Sequence, residues 1–303
     1  MAAVFEVNDF LHPLDLAARQ QLESVPLLQK TVTKYQSLVA ERRTRQGLLA
    51  SAVRLGPFQL PETYKLLPPI CAAFGIEVPE LYLTPGPANA VTVGHTQTAI
   101  VIYSELLDSL ADDEIQAVLA HECGHILASH TLYREMALAM MRAGSSIASM
   151  GAPVVGQFAG MAVQSALLDW YRKSELTADR AAAAFFGDAA PMRRAIFHLI
   201  GVPKWMPIGP NHSAFMEQAE EFDRITEKKW DRFLSRSLEG GSTHPMPVIR
   251  MRELTTWSES TAFEQLMQIA RSGHEDDRTG CAQCGHLLVP GWRFCQACGT
   301  AAS

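Results

Sequence analysis

Basic residues are in short supply in this chain: 26 Lys and Arg face 32 Asp and Glu, a formal charge of −6. With no basic excess to neutralise phosphates, a general nucleic-acid binder is excluded. A basic leader is missing as well. The opening "MAAVFEVNDFLHPLDL" reaches Glu6 and Asp9 before any Lys or Arg, so no secretory signal is expected. Long apolar runs are also absent. The one long uncharged stretch, residues 143–168, is rich in Gly, Ser and Ala, carries Pro153, and never gives 18 consecutive apolar residues. It reads as a buried or surface-lying helical hairpin, and membrane association is not favoured. Cysteine is sparse until residue 281: only Cys71 and Cys123 precede it, both expected to be core thiols. The other four, Cys281, Cys284, Cys295 and Cys298, form two C-x-x-C pairs. That distribution excludes a disulfide framework, points to metal, and places the chain in a reducing, cytoplasmic setting.

What is present is enough apolar material for a real core, 48% of 303 residues. The first 55 residues have helical periodicity. Residues 62–75 predict a helix kinked or interrupted at Pro68 and Pro69. Three short β-like runs follow at 80–86, 89–95 and 98–104. Helical signals dominate from Leu106 onward, with segments expected near 154–186, 190–201, 213–236 and 246–272. The polar stretch 271–280 reads as a linker to a small C-terminal module.

The chemistry gathers where charge is scarcest. Between Glu114 and Arg134 the only formally charged residue is Glu122, set in "AVLAHECGHILASH". An unpaired buried carboxylate is costly, so a partner or a function is expected for it. His121 and His125 are four apart and share one helical face. Two imidazoles at that spacing can reach one tetrahedral ion, with Glu122 beside them to act on water. This is H-E-x-x-H, the zinc hydrolase signature. Gly124 weakens a helix, and close approach of another backbone would explain it. A metzincin is excluded, because its Gly and third His positions are Ala128 and Thr131 here. His130, five residues past His125, would point roughly 140° away on a continuous helix, and is expected to be a capping or core histidine. Downstream, "SELTADRAA" offers Glu175 and Asp179 one turn apart. Glu175 can complete a His2Glu site, with Asp179 behind a ligand histidine. Spacing alone equally allows a solvated face pairing with Arg172 and Arg180.

From about Leu55 to Leu254 the sequence resembles the HtpX-like gluzincin peptidases, relatives of the Oma-type and CAAX-prenyl proteases. Four ordered stretches carry the likeness: "PANAV" (87–91), "AVLAHECGH", "SELTADRAA" with its E-x-x-x-D form, and "STHPMPVIRMREL" (242–254). The resemblance implies a zinc endopeptidase with ligands His121, His125 and Glu175, general base Glu122, and Asp179 behind the ligands. It further implies that Asn89 and Ala90, with the following strand, hold an extended substrate at a sheet edge. His244 would help steady the tetrahedral intermediate, with Arg250 near the substrate. On its residues alone, His244 is equally an electrophilic donor or an exposed loop histidine. The transmembrane helices of membrane members have no convincing counterpart here, which favours a soluble branch.

"CAQCGHLLVPGWRFCQACG" (281–299) has the spacing C-x2-C-x10-C-x2-C with glycine after each pair. Four thiolates as two knuckles suit a closed structural zinc site, a zinc ribbon with some capacity for protein contact. The expected whole is a mainly helical α+β chain: an N-terminal helical segment (1–55), a gluzincin-type peptidase domain with a small sheet (56–270), a linker (271–280) and a ribbon (281–303). One catalytic and one structural zinc are expected, with a protein or peptide as substrate. The competing readings are a vestigial peptidase fold serving as a scaffold through its ribbon, and a membrane-associated quality-control protease.

Overall fold

The computed structural model describes residues 5–23, 39–131, 154–206, 211–226, 246–272 and 283. His244, the four ribbon cysteines and residues 143–153 of the 143–168 stretch lie outside the described residues. Two compact units divide the chain, Met1–Ser258 and Glu259–Ser303.

The first unit begins with α1 (Val7–Phe10), α2 (Pro13–Glu23), α3 (Val39–Ser51), β1 (Val53–Leu55), α4 (Pro61–Tyr64) and α5 (Leu67–Phe74). The expected interruption is present: the helical stretch breaks at residues 65 and 66, between α4 and α5, just ahead of Pro68 and Pro69. They occupy the first turn of α5, where a missing N–H costs nothing, and Gly75 at φ 62° closes that helix. Phe5 and Phe10 pack on Phe74, which also meets Phe185, so the N-terminal segment is anchored in the same core.

Next come β2 (Glu80–Thr84), β3 (Ala90–Val93) and β4 (Ala99–Tyr103). The sheet order is β1-β2-β4-β3, with β2 and β4 parallel and both outer pairings antiparallel. β4 is central, and Ala99 to Ile102 are all buried. Alternation splits the sheet into two faces. Tyr82, Ala99 and Val101 pack against Leu48 and Ala52 at the end of α3. The opposite face, which carries Thr92 opposite Ile100, turns to the H-E-x-x-H helix. β3 ends the sheet among the described residues.

α6 (Ser104–Ser109) leads into α7 (Asp112–Leu127), the helix of the metal motif. Its first turn carries Asp112, Asp113 and Glu114, and the Glu114 side chain accepts the backbone N–H of Ala111 at 2.9 Å. α8 (Val154–Phe186) lies along α7 and also packs against α2. α9 (Ala190–Leu199), α10 (His212–Thr226) and α11 (Pro247–Ser258) complete the unit. In the second unit, α12 (Thr261–Ser272) is capped by the Ser260 hydroxyl, which accepts the Phe263 N–H at 3.3 Å. No described helix is long and apolar enough to cross a membrane.

Gly124 sets how closely α7 and α8 approach. A Cβ at this position would lie 2.7 Å from Ala181 Cβ and 3.3 Å from Ala178 Cα. Neither neighbour is the end of a flexible side chain, so Gly124→Ala forces the helices apart. Overpacking of this kind costs about 1–3 kcal/mol; a thermal melt of the variant should show it.

Candidate metal centre

α7 and α8 bring together the residues that the sequence separates by fifty positions. His121, His125 and Glu175 are all buried, and one ligand atom from each lies within 4.8 Å of the others. His121 Nε2 is 3.2 Å from His125 Nε2 and 3.4 Å from Glu175 Oε2. His125 Nε2 is 3.2 Å from Glu175 Oε1. Three donor atoms of the two types preferred by zinc thus converge on one point.

The remaining ring nitrogens are committed elsewhere, and that commitment fixes which atoms face inward. His121 Nδ1 is 2.9 Å from Asp179 Oδ1. An ionised carboxylate only accepts, so Nδ1 carries the proton and Nε2 of the neutral ring presents its lone pair to the cluster. His125 Nδ1 is 2.9 Å from Nδ1 of His130. His130 is therefore no capping residue; it is 1% exposed and bonded to the back of His125. It is thus a core histidine and not a ligand, as expected, and it reaches the back of His125 because α7 stops at Leu127. Ser129, at φ 56°, turns the chain, and the His130 N–H donates to the His125 carbonyl at 2.9 Å.

Glu122 is 5% exposed, and the Thr92 hydroxyl on β3 hydrogen-bonds its Oε2 at 2.6 Å. Thr92 was invisible to sequence reasoning: nothing marks a lone threonine in a strand until its neighbour is known. Asp179 also accepts two hydrogen bonds from Arg250, Nε to Oδ2 at 2.8 Å and Nη2 to Oδ1 at 2.5 Å. Burial raises the Asp179 pKa, but Arg250 and His121 outweigh it and hold the carboxyl below its usual range. Arg172 pairs instead with Asp169, and Arg180 lies 5.1 Å from the Trp257 ring. Glu175 and Asp179, each 1% exposed, do not form a solvated face.

Arg250 was expected near the substrate. It is 9% exposed, with its guanidinium hydrogen-bonded to Asp179 and 4.0 Å from Glu175 Oε2. Breaking a buried pair by removing one partner costs about 3–5 kcal/mol. Arg250→Met should therefore lower thermal stability sharply, whereas a raised KM in a normally stable variant would support the substrate-binding role. Asn89 is exposed at the start of β3, with its Oδ1 on the Ala90 N–H at 2.9 Å and its carbonyl accepting the Tyr103 N–H at 3.0 Å; Ala90 is buried. Cys123 faces away from the cluster and meets the thiol of Cys71.

The residues present fit a divalent cation. Glu122, Glu175 and Asp179 against Arg250 leave a formal excess of two negative charges if the imidazoles are neutral. Burial lowers the His121 pKa, but Asp179 and Glu175 overcome this and push it up to about 9. Burial prevails at His125 and pushes it down to about 4. A cation must then displace the proton on His121. Zinc affinity should rise with pH up to about 9 and fall by roughly tenfold per unit on acidification. Competition with a chelator of known pH dependence at pH 6, 7 and 8 measures this.

Residues 72–258 match the model of peptidase family M48. The plastoglobule-localized metallopeptidase 48 of Arabidopsis thaliana chloroplasts is 29% identical over 271 residues, covering 88% of this chain and 76% of that protein. A protease HtpX homolog from Nostoc sp. is 27% identical over 181 residues, 50% of this chain and 62% of the relative. One from Leptothrix cholodnii is 29% identical over 154 residues, 42% and 53% of the two chains. The chain thus spans between about half and three quarters of these relatives. No solved structure matches it significantly. The matched segment contains the H-E-x-x-H helix, Glu175 and Asp179 on α8, and Arg250 on α11, and the chain belongs to peptidase family M48, the HtpX/Oma-type gluzincin metalloproteases.

Proposed function

We propose that the protein is a zinc-dependent endopeptidase that cleaves protein segments presented in extended form. The convergence of His121, His125 and Glu175, with both imidazole lone pairs turned inward, carries this reading. Zinc held by these three residues supplies Lewis acidity, acidifying water and polarising the scissile carbonyl. Glu122 is the group that takes the proton from the attacking water and returns it to the leaving amine. The Thr92 hydroxyl holds the Glu122 carboxylate in one orientation. Asp179 keeps His121 in the ligating tautomer, and Arg250 keeps Asp179 ionised. Because Thr92 belongs to β3, substrate pairing along that strand from Asn89 and Ala90 would run the scissile bond past Glu122. His244 is assigned to the oxyanion of the tetrahedral intermediate.

The four cysteines Cys281, Cys284, Cys295 and Cys298 are assigned a second, structural zinc, with protein contact as the role of that module. A cytoplasmic location is part of the same proposal; recovery with membranes after cell lysis would replace it with the membrane-associated reading. The test is casein turnover by the full chain before chelation, after chelation, and after zinc is restored. Loss and recovery of cleavage with zinc are expected. Folded, zinc-loaded protein that cleaves nothing would favour the scaffold reading.

A further inference from the structure

We propose that Asp15 and His130 are positioning residues for the metal site: a hydrogen-bonded relay Asp15–His130–His125 fixes the ligating tautomer of His125 and couples docking of the N-terminal helix α2 to metal affinity. The inference rests on the zinc-peptidase reading of the cluster.

The relay begins outside the segment that defines the family. Asp15 belongs to α2, well before residue 72, where the family match starts. It is fully buried, and its Oδ2 lies 3.0 Å from His130 Nε2. The Thr177 hydroxyl, on α8 two residues past Glu175, donates to the same oxygen at 2.6 Å. Thr177 Oγ1 in turn accepts the backbone N–H of His12 at 3.1 Å, so its single proton is directed to Asp15. Burial raises the Asp15 pKa, but hydrogen bonds from His130 and Thr177 more than offset it, and the group is an acceptor at neutral pH.

The protons along the chain then have one consistent assignment. Asp15 accepts, so His130 Nε2 carries a proton and His130 Nδ1 is left with a lone pair. That lone pair, 2.9 Å from His125 Nδ1, requires the proton to be on His125 Nδ1. His125 Nε2 is thereby turned, unprotonated, to His121 and Glu175. Asp179 imposes the same tautomer on His121 from the other side. The ring of Trp170 packs edge-on against His130, the middle of the relay, with ring centroids 5.6 Å apart.

Stability alone does not select this arrangement. Asp15 Oδ1 is buried without a hydrogen-bond partner among the described residues. A carboxylate that is only half satisfied is a costly way to pin a helix, since an apolar side chain of similar volume would do so more cheaply. Its other oxygen is spent on the one histidine that touches the back of a metal ligand. Outer partners of ligand histidines are worth on the order of 10–100-fold in metal affinity or activity.

The test uses the full chain with zinc. Asp15→Asn and His130→Gln should each weaken zinc binding on the order of 10–100-fold in chelator competition, with KM unchanged at saturating zinc. Leu22→Ala, a packing change on the same helix, should lower the melting temperature, and well below that temperature, where α2 is still docked and the relay intact, it should leave zinc affinity within about twofold. Nitrogen NMR of the zinc-loaded, histidine-labelled wild type reads the protons directly, whether or not the variants fold. It should show His125 protonated at Nδ1 and His130 protonated at Nε2 only. Zinc affinity unchanged in a folded Asp15→Asn protein, or a proton on His130 Nδ1, would overturn the relay. Failure of the wild type to bind zinc at the cluster would instead defeat the peptidase reading on which the relay rests.

Discussion

Glu122→Gln should keep its zinc and lose peptide hydrolysis by about 10²–10⁴-fold or more, the usual worth of a positioned general base. The amide has the size of the carboxylate and can still accept the Thr92 hydroxyl that now bonds Oε2. The local packing therefore survives, and so do His121, His125 and Glu175. What the amide cannot do is take a proton from water. Metal analysis and kcat/KM on an unstructured protein substrate, made on the same preparation, separate the two effects. Turnover near the wild-type rate in this variant would remove Glu122 from the mechanism.

The second large effect is at Glu175. Glu175→Ala removes the ligand that α8 contributes and leaves two imidazoles whose outward nitrogens are still held by Asp179 and His130. A two-histidine site holds zinc far less tightly than one closed by a carboxylate, so the cluster should lose its metal and turnover should fall to background. Arg250, whose Nη1 lies 4.0 Å from Glu175 Oε2, would retain its pair with Asp179. The fold should therefore persist, and circular dichroism checks this. Full zinc occupancy at the cluster in this variant would mean that another residue is the third ligand.

The strongest parts of the site were legible because they are local. His121, Glu122 and His125 lie within one turn of helix; Glu175 and Asp179 repeat that spacing on α8, but spacing alone equally allowed a solvated face, and the family resemblance singled them out. The strands near 80–104 and the helices at 154–186 and 190–199 were likewise marked by their own periodicity. Residues whose role depends on distant partners were not legible. Asp15 looks like an ordinary first-turn acid of α2, yet its hydrogen-bond partner Thr177 is 162 positions away. His130 is the buried non-ligand that was expected, but its bond to His125 was hidden because a wheel assumes that the helix continues, whereas Ser129 leaves it at φ 56°. Arg250 carried a motif without a geometry, and only burial shows that its charge is spent on Asp179. β1 escaped notice because three residues, two of them exposed, give no alternation to read. At Pro68 and Pro69 the expected interruption falls just ahead of the pair, since the first turn of a helix accepts what its interior rejects.

The central claim is that two histidines and one glutamate on α7 and α8 hold a zinc ion. X-ray absorption at the zinc edge tests it most directly, on the full chain with Cys281, Cys284, Cys295 and Cys298 replaced by serine. One zinc per chain is predicted, surrounded by two imidazole nitrogens and oxygen, with no sulfur and with loss of the signal in Glu175→Ala. A variant that binds no zinc, or zinc whose nearest neighbours include sulfur, would contradict the account.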